Sequence, residues 1–145
     1  MSYEREDYCP LNVAELLKKR GFRQDRGSYN HIPYYCEDGS LCEYDMRRSK
    51  RFHCRAVAPT LQMAMKWLRE RHGIYIKVGI GEDYDGFFGY IPEIYILSNP
   101  ITVEGRIIPS IPADLICDFT PKTYEQAVEA SLLYALKNLE CGDDE

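Results

Sequence analysis

The chain has 145 residues, 45% hydrophobic and 28% charged, with a formal net charge of -5. This length and composition are typical of one ordinary globular domain, which can bury a core without a metal or a disulfide. The charged N-terminus lacks the apolar region of a signal peptide, and no run approaches the ~20 apolar residues of a membrane helix. We therefore expect a cytoplasmic protein without a membrane segment.

The first predicted elements are a helix and a hairpin. Residues 10–20, PLNVAELLKKR, combine an apolar stripe with cations in the last turn, which favours a helix. Pro10 suits the first helical position, and Gly21 suits the position just after the end. Residues 34–44, YYCEDGSLCEY, place the turn-forming sequence EDGS between two short strands and predict a β-hairpin.

A second helix and a strand follow. The basic stretch of residues 47–55 has no apolar periodicity, so we expect a loop or strand edge that leads into a short strand. Residues 60–72, TLQMAMKWLRERH, repeat apolar residues at helical spacing behind Thr60, a suitable N-cap. Residues 74–80, IYIKVGI, alternate in character, which indicates a half-buried strand.

The second half of the chain predicts further strands. Residues 87–97 have the composition of a strand, interrupted at Pro92, so we expect an edge strand or a bulge there. A small hairpin is predicted around Glu104 and Gly105. Residues 115–119, LICDF, are predicted to form a last strand.

A long helix completes the predicted fold. Thr123 and Gln126 match the capping-box pattern at its start, and the tail 141–145 is expected to fray. The predicted order is α-β-β-α-β-β-(ββ)-α, without regular β-α-β alternation. The sequence therefore predicts a single α+β domain over residues 1–145. Its antiparallel sheet would have about four to six strands and be packed by three helices.

The charge is unevenly distributed along the chain. Residues 1–73 carry a net +4, and residues 74–145 carry a net -9. The stretch RRSKRFHCR contributes five cations: Arg47, Arg48, Lys50, Arg51 and Arg55. Converging cations of this kind can bind nucleic-acid phosphates, and the neighbouring aromatic residues can stack on bases. The alternative, which an acidic chain favours, is a solvated loop that pairs with acidic residues.

Six cysteines allow four interpretations, and their even number is a weak indication of disulfides. Reduced thiols are the expectation for a cytosolic chain of this size. A zinc site would use Cys36, Cys42, His53 and Cys54, although their spacing matches no standard zinc motif. A thiol enzyme is the weakest alternative, because adjacent residues such as His53 and Cys54 point to opposite faces of a strand. No catalytic motif is present in the sequence, so we expect neither an enzyme nor a cofactor.

Two stretches carry a likeness to a known group of proteins. They are APTLQMAMKWLRERHGIYI, residues 58–76, and TYEQAVEASLLYALKNL, residues 123–139. With the first helix and the hairpin, they resemble a family of small uncharacterised proteins from gut anaerobes and their phages or mobile elements. The resemblance implies a compact α+β fold, a cytoplasmic location and a phage-related origin. It implies no activity, cofactor or site residue, and residues 97–115 depart from it as an addition.

These features together predict a small non-enzymatic binding or accessory protein. Its twelve tyrosines suit half-exposed strands or an interface, since the ring packs while the hydroxyl stays in water. The uneven charge suits a charged partner or self-association. A protein partner is favoured over nucleic acid, and the sequence does not identify it.

Overall fold

The chain forms two compact units, Met1–Ala64 and Met65–Glu145. The structure, a computed structural model, describes residues 8–24, 33–42, 54–82, 86 and 88–139. In chain order the elements are α1 (Leu11–Lys19), β1 (Tyr34–Cys36), β2 (Leu41–Cys42), β3 (Cys54–Val57), α2 (Leu61–His72), β4 (Ile74–Glu82), β5 (Phe88–Ile96), β6 (Ile101–Val103), β7 (Arg106–Ile108), α3 (Ala113–Ile116) and α4 (Tyr124–Asn138). The boundary between the units falls within α2.

Helix α1 belongs to the first unit and ends as its sequence predicts. Gly21 adopts a positive φ of 102°, a conformation that glycine takes without strain. This lets the backbone N–H of Phe22 donate to Leu17 O at 2.9 Å, and the Phe22 ring is buried. The apolar stripe faces inward, and the cations Lys18 and Lys19 are exposed.

The first unit also contains a three-stranded antiparallel sheet in the order β2-β1-β3. The predicted hairpin is confirmed, because Tyr34 pairs with Cys42 and Gly39 turns the chain at a φ of 89°. On its other side β1 pairs with β3, with a register shift after Tyr35. Helix α1 contacts β3, and Tyr34 and Val57 are almost fully buried. The core of this unit therefore lies between α1 and the sheet.

The second unit is built on the long hairpin of β4 and β5. Nine residue pairs join the strands without a register shift, and Pro92 lies opposite Val78. The N–H groups of Tyr90 and Ile94 point away from β4, to Pro121 O and Ile111 O. Residue 92 shares their orientation because strand N–H directions repeat every second residue. Proline therefore removes no bond between the strands; the predicted edge strand is confirmed, and the predicted interruption is wrong.

Helix α4 packs against both strands of this hairpin. It starts at the predicted capping box, where Thr123 Oγ1 accepts from Gln126 N at 3.0 Å. The Gln126 side chain in turn accepts from Lys122 N at 2.9 Å. The residues of the helix that face the hairpin are fully buried: Ala127, Val128, Ser131, Leu132, Ala135 and Leu136.

The predicted α+β class is confirmed, with three differences in detail. The strands form three small sheets, β2-β1-β3, β4-β5 and β6-β7, instead of one. Residues 113–116 form the short helix α3, so the predicted strand at 115–119 is wrong. Ile80, which the alternation of residues 74–80 places on the same face of β4 as the buried Ile74 and Ile76, is 77% exposed. The single domain stays a prediction, and the tail 141–145 lies outside the described residues.

Candidate functional site

The predicted nucleic-acid stretch contributes one of its five cations to the described structure. Its other four cations lie outside the described residues: Arg47, Arg48, Lys50 and Arg51. Arg55 lies in β3, where its Nε donates to Glu15 Oε2 of α1 at 2.9 Å and its Nη1 donates to Glu37 O at 3.4 Å. Arg55 therefore ties α1 to the sheet, and nucleic-acid binding by the stretch stays a prediction.

Two of the cysteines form a disulfide across the first hairpin. The pairing of Tyr34 with Cys42 brings Cys36 and Cys42 to one face of the sheet, with Cα atoms 6.8 Å apart. The predicted reduced state is wrong for this pair, and bonded sulfurs offer no thiolate to zinc. His53 and the Cys54 side chain lie outside the described part of the chain. Over the residues that are described, no group of three or more His, Cys, Asp or Glu side chains is suited to hold a metal.

The second unit carries an exposed hairpin, which we call the arm: residues 101–108, consisting of β6, β7 and their turn. Glu104 and Gly105 have φ values of 52° and 77°, the positive values of a two-residue turn, and confirm the predicted hairpin. All eight residues of the arm are exposed. Among the described strands, β6 and β7 pair with each other and with no third strand.

Both faces of the arm carry apolar side chains. The register places Ile101 opposite Ile108, with Val103 on the same face, and places Thr102 opposite Ile107 on the other face. Ile107 is 61% exposed. An isolated two-stranded hairpin is at best marginally stable in water, and its free edges are templates for another strand. The arm therefore has the form of an incomplete sheet.

A second feature of this unit is a cleft of about 280 Å³ between β5 and residues 113–121. Its floor is the middle of β5, and its wall is α3 with the segment that leads to α4. The lining residues are Gly81, Glu82, Tyr90, Ile91, Pro92, Ala113, Asp114, Cys117, Asp118, Phe119, Thr120 and Pro121. Three of these side chains are carboxylates, and none is a lysine or an arginine.

The wall of the cleft is held close to β5 by backbone contacts. Tyr90 N donates to Pro121 O at 3.0 Å. A side chain at Gly89 would meet the side chain of Thr120, and its Cβ would lie 2.9 Å from Pro121 O. Glycine at this position therefore allows the close approach of the two segments.

Cys117 lies in the cleft as a half-buried free thiol. Its Sγ donates to Phe119 O at 3.2 Å. Burial raises the pKa of the Cys117 thiol, and the nearby charge of Asp118 raises it further against the opposing effect of the hydrogen bond. The thiolate is disfavoured at neutral pH, so this cysteine lacks the activation of a nucleophile.

The sequence indicates neither the arm nor the cleft as a site. The arm is visible as a hairpin, but the ITV and RII segments look like ordinary strands, and their lack of a third strand is a tertiary property. The cleft joins residues from Gly81 to Pro121, far apart in the chain and without a shared motif. The signal available in the sequence was the surplus of acidic residues after residue 74.

Comparisons with known protein families, with curated proteins and with solved structures find no match to this chain. The likeness to a family from gut anaerobes and phages therefore stays an expectation. Within the described ranges, the helices are too short or too polar to cross a membrane. The cytoplasmic location also stays a prediction, and disulfides are more common outside the cytosol.

Proposed function

We propose that the protein is a small non-enzymatic binding protein that docks onto a protein partner through the arm. The observation that carries this proposal is the exposure of the whole arm, including four β-branched apolar side chains. Single exposed apolar residues are common on proteins, whereas a contiguous group of them marks an interaction site. A strand of the partner would extend the edge of the arm, and its side chains would cover the two faces.

The charge of the second unit favours a basic protein as the partner. The unit contains seven Lys or Arg and fourteen Asp or Glu residues, a net -7. Such a surface attracts cationic proteins and repels nucleic-acid phosphates. A second copy of the chain carries the same charge and is less favoured as the occupant. An accessory role in a phage or mobile element is the context that the sequence resemblance suggests.

The proposal can be tested with a library of random protein fragments displayed on yeast and selected against the immobilised full chain. Each selected fragment is then titrated against the wild type, Ile107→Ser and Ile80→Ser. Ile107 and Ile80 are both exposed, at 61% and 77%, but Ile80 lies outside the arm. We expect fragments whose affinity falls about tenfold with Ile107→Ser, as for an apolar contact at the centre of an interface, and stays unchanged with Ile80→Ser.

Two results would contradict the docking role of the arm. In the first, every selected fragment binds Ile107→Ser as tightly as the wild type. In the second, light scattering shows a dimer at rising concentration, in place of the 16.9 kDa monomer, and Ile107→Ser abolishes it. The occupant would then be a second copy. Unchanged hydrogen exchange in β4 and α4 confirms that the variants are folded.

Nucleic-acid binding by residues 47–55 is the alternative function. Fluorescence anisotropy with duplex DNA, single-stranded DNA and RNA tests it, comparing the wild type with a variant in which Arg47, Arg48, Lys50 and Arg51 are alanine. Micromolar binding that weakens with salt and vanishes in this variant would support it. We expect no binding, because the one described cation of the stretch, Arg55, is paired with Glu15 and the chain as a whole is acidic.

A further inference from the structure

The cleft beside β5 is a built cavity whose two sides are tied together at both ends. At one end Tyr90 N donates to Pro121 O at 3.0 Å. At the other end Ile94 and Ile111 exchange two backbone hydrogen bonds of 3.1 and 3.0 Å. Between them Cys117 N donates to Ala113 O at 3.1 Å and closes the turn of α3. The walls therefore exist before any ligand arrives, which lowers the entropy cost of binding.

The charged groups of the cleft are all of one sign. Glu82, Asp114 and Asp118 line it, and in the described structure none of the three forms an ion pair with a lysine or arginine. Such carboxylates favour a cationic ligand. Among the described residues, these carboxylates and their neighbours do not form a group that could hold a metal ion.

The uncharged part of the lining is apolar and aromatic. Tyr90, Ile91 and Pro92 of β5 line one side of the cleft, and Phe119, 54% exposed, lines the other. A ligand that fits this lining has an apolar stem behind its charge and apolar neighbours on either side.

We propose that the cleft binds an arginine side chain presented by an extended protein segment with apolar residues beside the arginine. The guanidinium group bonds to carboxylates with two parallel N–H donors and stacks on aromatic rings, while its methylene stem packs on an apolar floor. A volume of about 280 Å³ is at the small end of ligand sites, so it accommodates one or two side chains. Phe119, which lines the cleft and is exposed, then contacts a flanking residue.

A neighbouring cleft extends the surface available to such a segment. It measures about 390 Å³, shares Cys117, Asp118 and Phe119 with the first cleft, and is lined on its far side by α4. A segment that crosses the ridge of residues 117–119 would contact both clefts. The inference rests on the proposed protein-binding function, but it uses a surface other than the arm.

The test uses two fluorescein-labelled peptides, Gly-Leu-Arg-Leu-Gly and the same peptide with citrulline in place of arginine. Citrulline keeps the shape of the side chain and removes the charge. We expect the arginine peptide to bind the full chain at least tenfold more tightly, and added salt to narrow the difference. Asp114→Asn and Asp118→Asn should each weaken binding of the arginine peptide about tenfold. Glu104→Gln is the matched control, since it removes one carboxylate at the tip of the arm, and it should change the affinity less than twofold.

Alkylation of Cys117 locates the bound peptide. Cys117 lines both clefts, so saturating arginine peptide should slow its reaction with iodoacetamide, followed by peptide mass spectrometry. Cys9 is fully buried, so its lack of reaction with iodoacetamide shows that the chain stays folded during the experiment. The citrulline peptide at the same concentration should slow the reaction less.

Several outcomes would overturn the inference. They are equal affinity for the two peptides, no binding at millimolar peptide, or equal effects of Asp118→Asn and Glu104→Gln. Free arginine that binds as tightly as the peptide would make the cleft a small-molecule site instead. The Ile107→Ser variant should keep its peptide affinity. A failure of the arm experiment with intact arginine binding therefore rejects the arm alone, and the reverse pattern rejects the cleft alone.

Discussion

The first unit covers nearly all of its described apolar surface, whereas the second leaves much of it in contact with water. Of eleven large exposed hydrophobic side chains in the described residues, one, Leu41, belongs to the first unit and ten belong to the second. The second unit has about twice as many described residues, so size alone does not explain the difference. All residues of its strands β6 and β7 are exposed, and these strands pair with no third described strand. This is where we place the interaction surface.

The two units also differ in charge. The first carries eleven Lys or Arg and nine Asp or Glu residues, a net +2, and the second carries a net -7. The chain average of -5 hides this contrast. A polyanion is compatible with the first unit, and a basic protein is compatible with the second. Partner chemistry should therefore be assigned unit by unit.

The largest expected losses of stability come from substitutions that leave a cavity in the core of each unit. Leu17 in α1 and Leu132 in α4 are both fully buried, so Leu17→Ala and Leu132→Ala should each lower the free energy of unfolding by about 2–5 kcal/mol. The single tryptophan, Trp67, lies in the second unit and reports its unfolding in urea.

This pair of variants also tests how separate the units are. Helix α2 spans their boundary, and the sequence predicts a single domain, so we expect both substitutions to shift the same Trp67 transition. If Leu17→Ala leaves the Trp67 midpoint unchanged, the units unfold independently and the single-domain prediction fails.

A smaller loss of stability is expected at Gly89, where β5 lies close to the segment that leads to α4. Gly89→Ala places a methyl group against Thr120 and the carbonyl of Pro121, and should cost about 1–3 kcal/mol. Gly79 lies in the partner strand, where an added Cβ would meet no atom within 4 Å, so Gly79→Ala is the matched control and should be neutral. Thermal unfolding of the two variants gives the comparison. Equal stability would show that the wall of the cleft moves freely.

The disulfide should stabilise the first unit more than the second. Closing the short loop between Cys36 and Cys42 contributes about 2 kcal/mol by the chain-entropy estimate. Reduction should therefore increase amide exchange in β1 and β3 more than in β4 and β5, as hydrogen-exchange mass spectrometry would show. An equal loss of protection in both pairs of strands would contradict this local effect.

The smallest effects are on pH dependence, and they have opposite directions in the two units. Burial raises the pKa of Cys117 and of Tyr95 in the second unit. Because both pKa values are higher in the folded chain, the thiol and the phenol lose their protons at a lower pH in the unfolded chain. Their contribution to the free energy of unfolding is therefore lost as the pH rises through the folded-state pKa values. In the first unit, hydrogen bonds from Ser40 lower the pKa of Asp38, so that small contribution is lost as the pH falls.

Hydrogen exchange at acid and alkaline pH separates these two effects. Alkaline pH should loosen the strands and turns around Tyr95 and Cys117 first, and acid pH should loosen the β1–β2 turn first. The Cys117→Ser variant should lose part of the alkaline sensitivity of the second unit. An equal increase in amide exchange in both units, at acid and at alkaline pH, would contradict the assignment of the two pH effects to separate units.

The elements predicted best from sequence are those whose signals are local. Helices α1, α2 and α4 have an apolar period together with a start or stop signal, and the arm has the turn pair Glu104 and Gly105. The predicted strand at residues 115–119 failed because a short apolar run fits a strand and a helical turn equally. Asp114 in the first turn is a helical signal that the strand prediction left out.

The sequence by itself determined the α+β class, most helix boundaries, the hairpin turns and the uneven charge, because each depends on residues close together in the chain. The tertiary structure decided which strands pair, which cysteines meet and which apolar side chains remain in water. Those outcomes depend on contacts between distant residues, such as Gly89 with Pro121 and Ile94 with Ile111. The arm is a hairpin that no other described strand joins. The cleft is the space that remains between two segments that these contacts tie together at both ends.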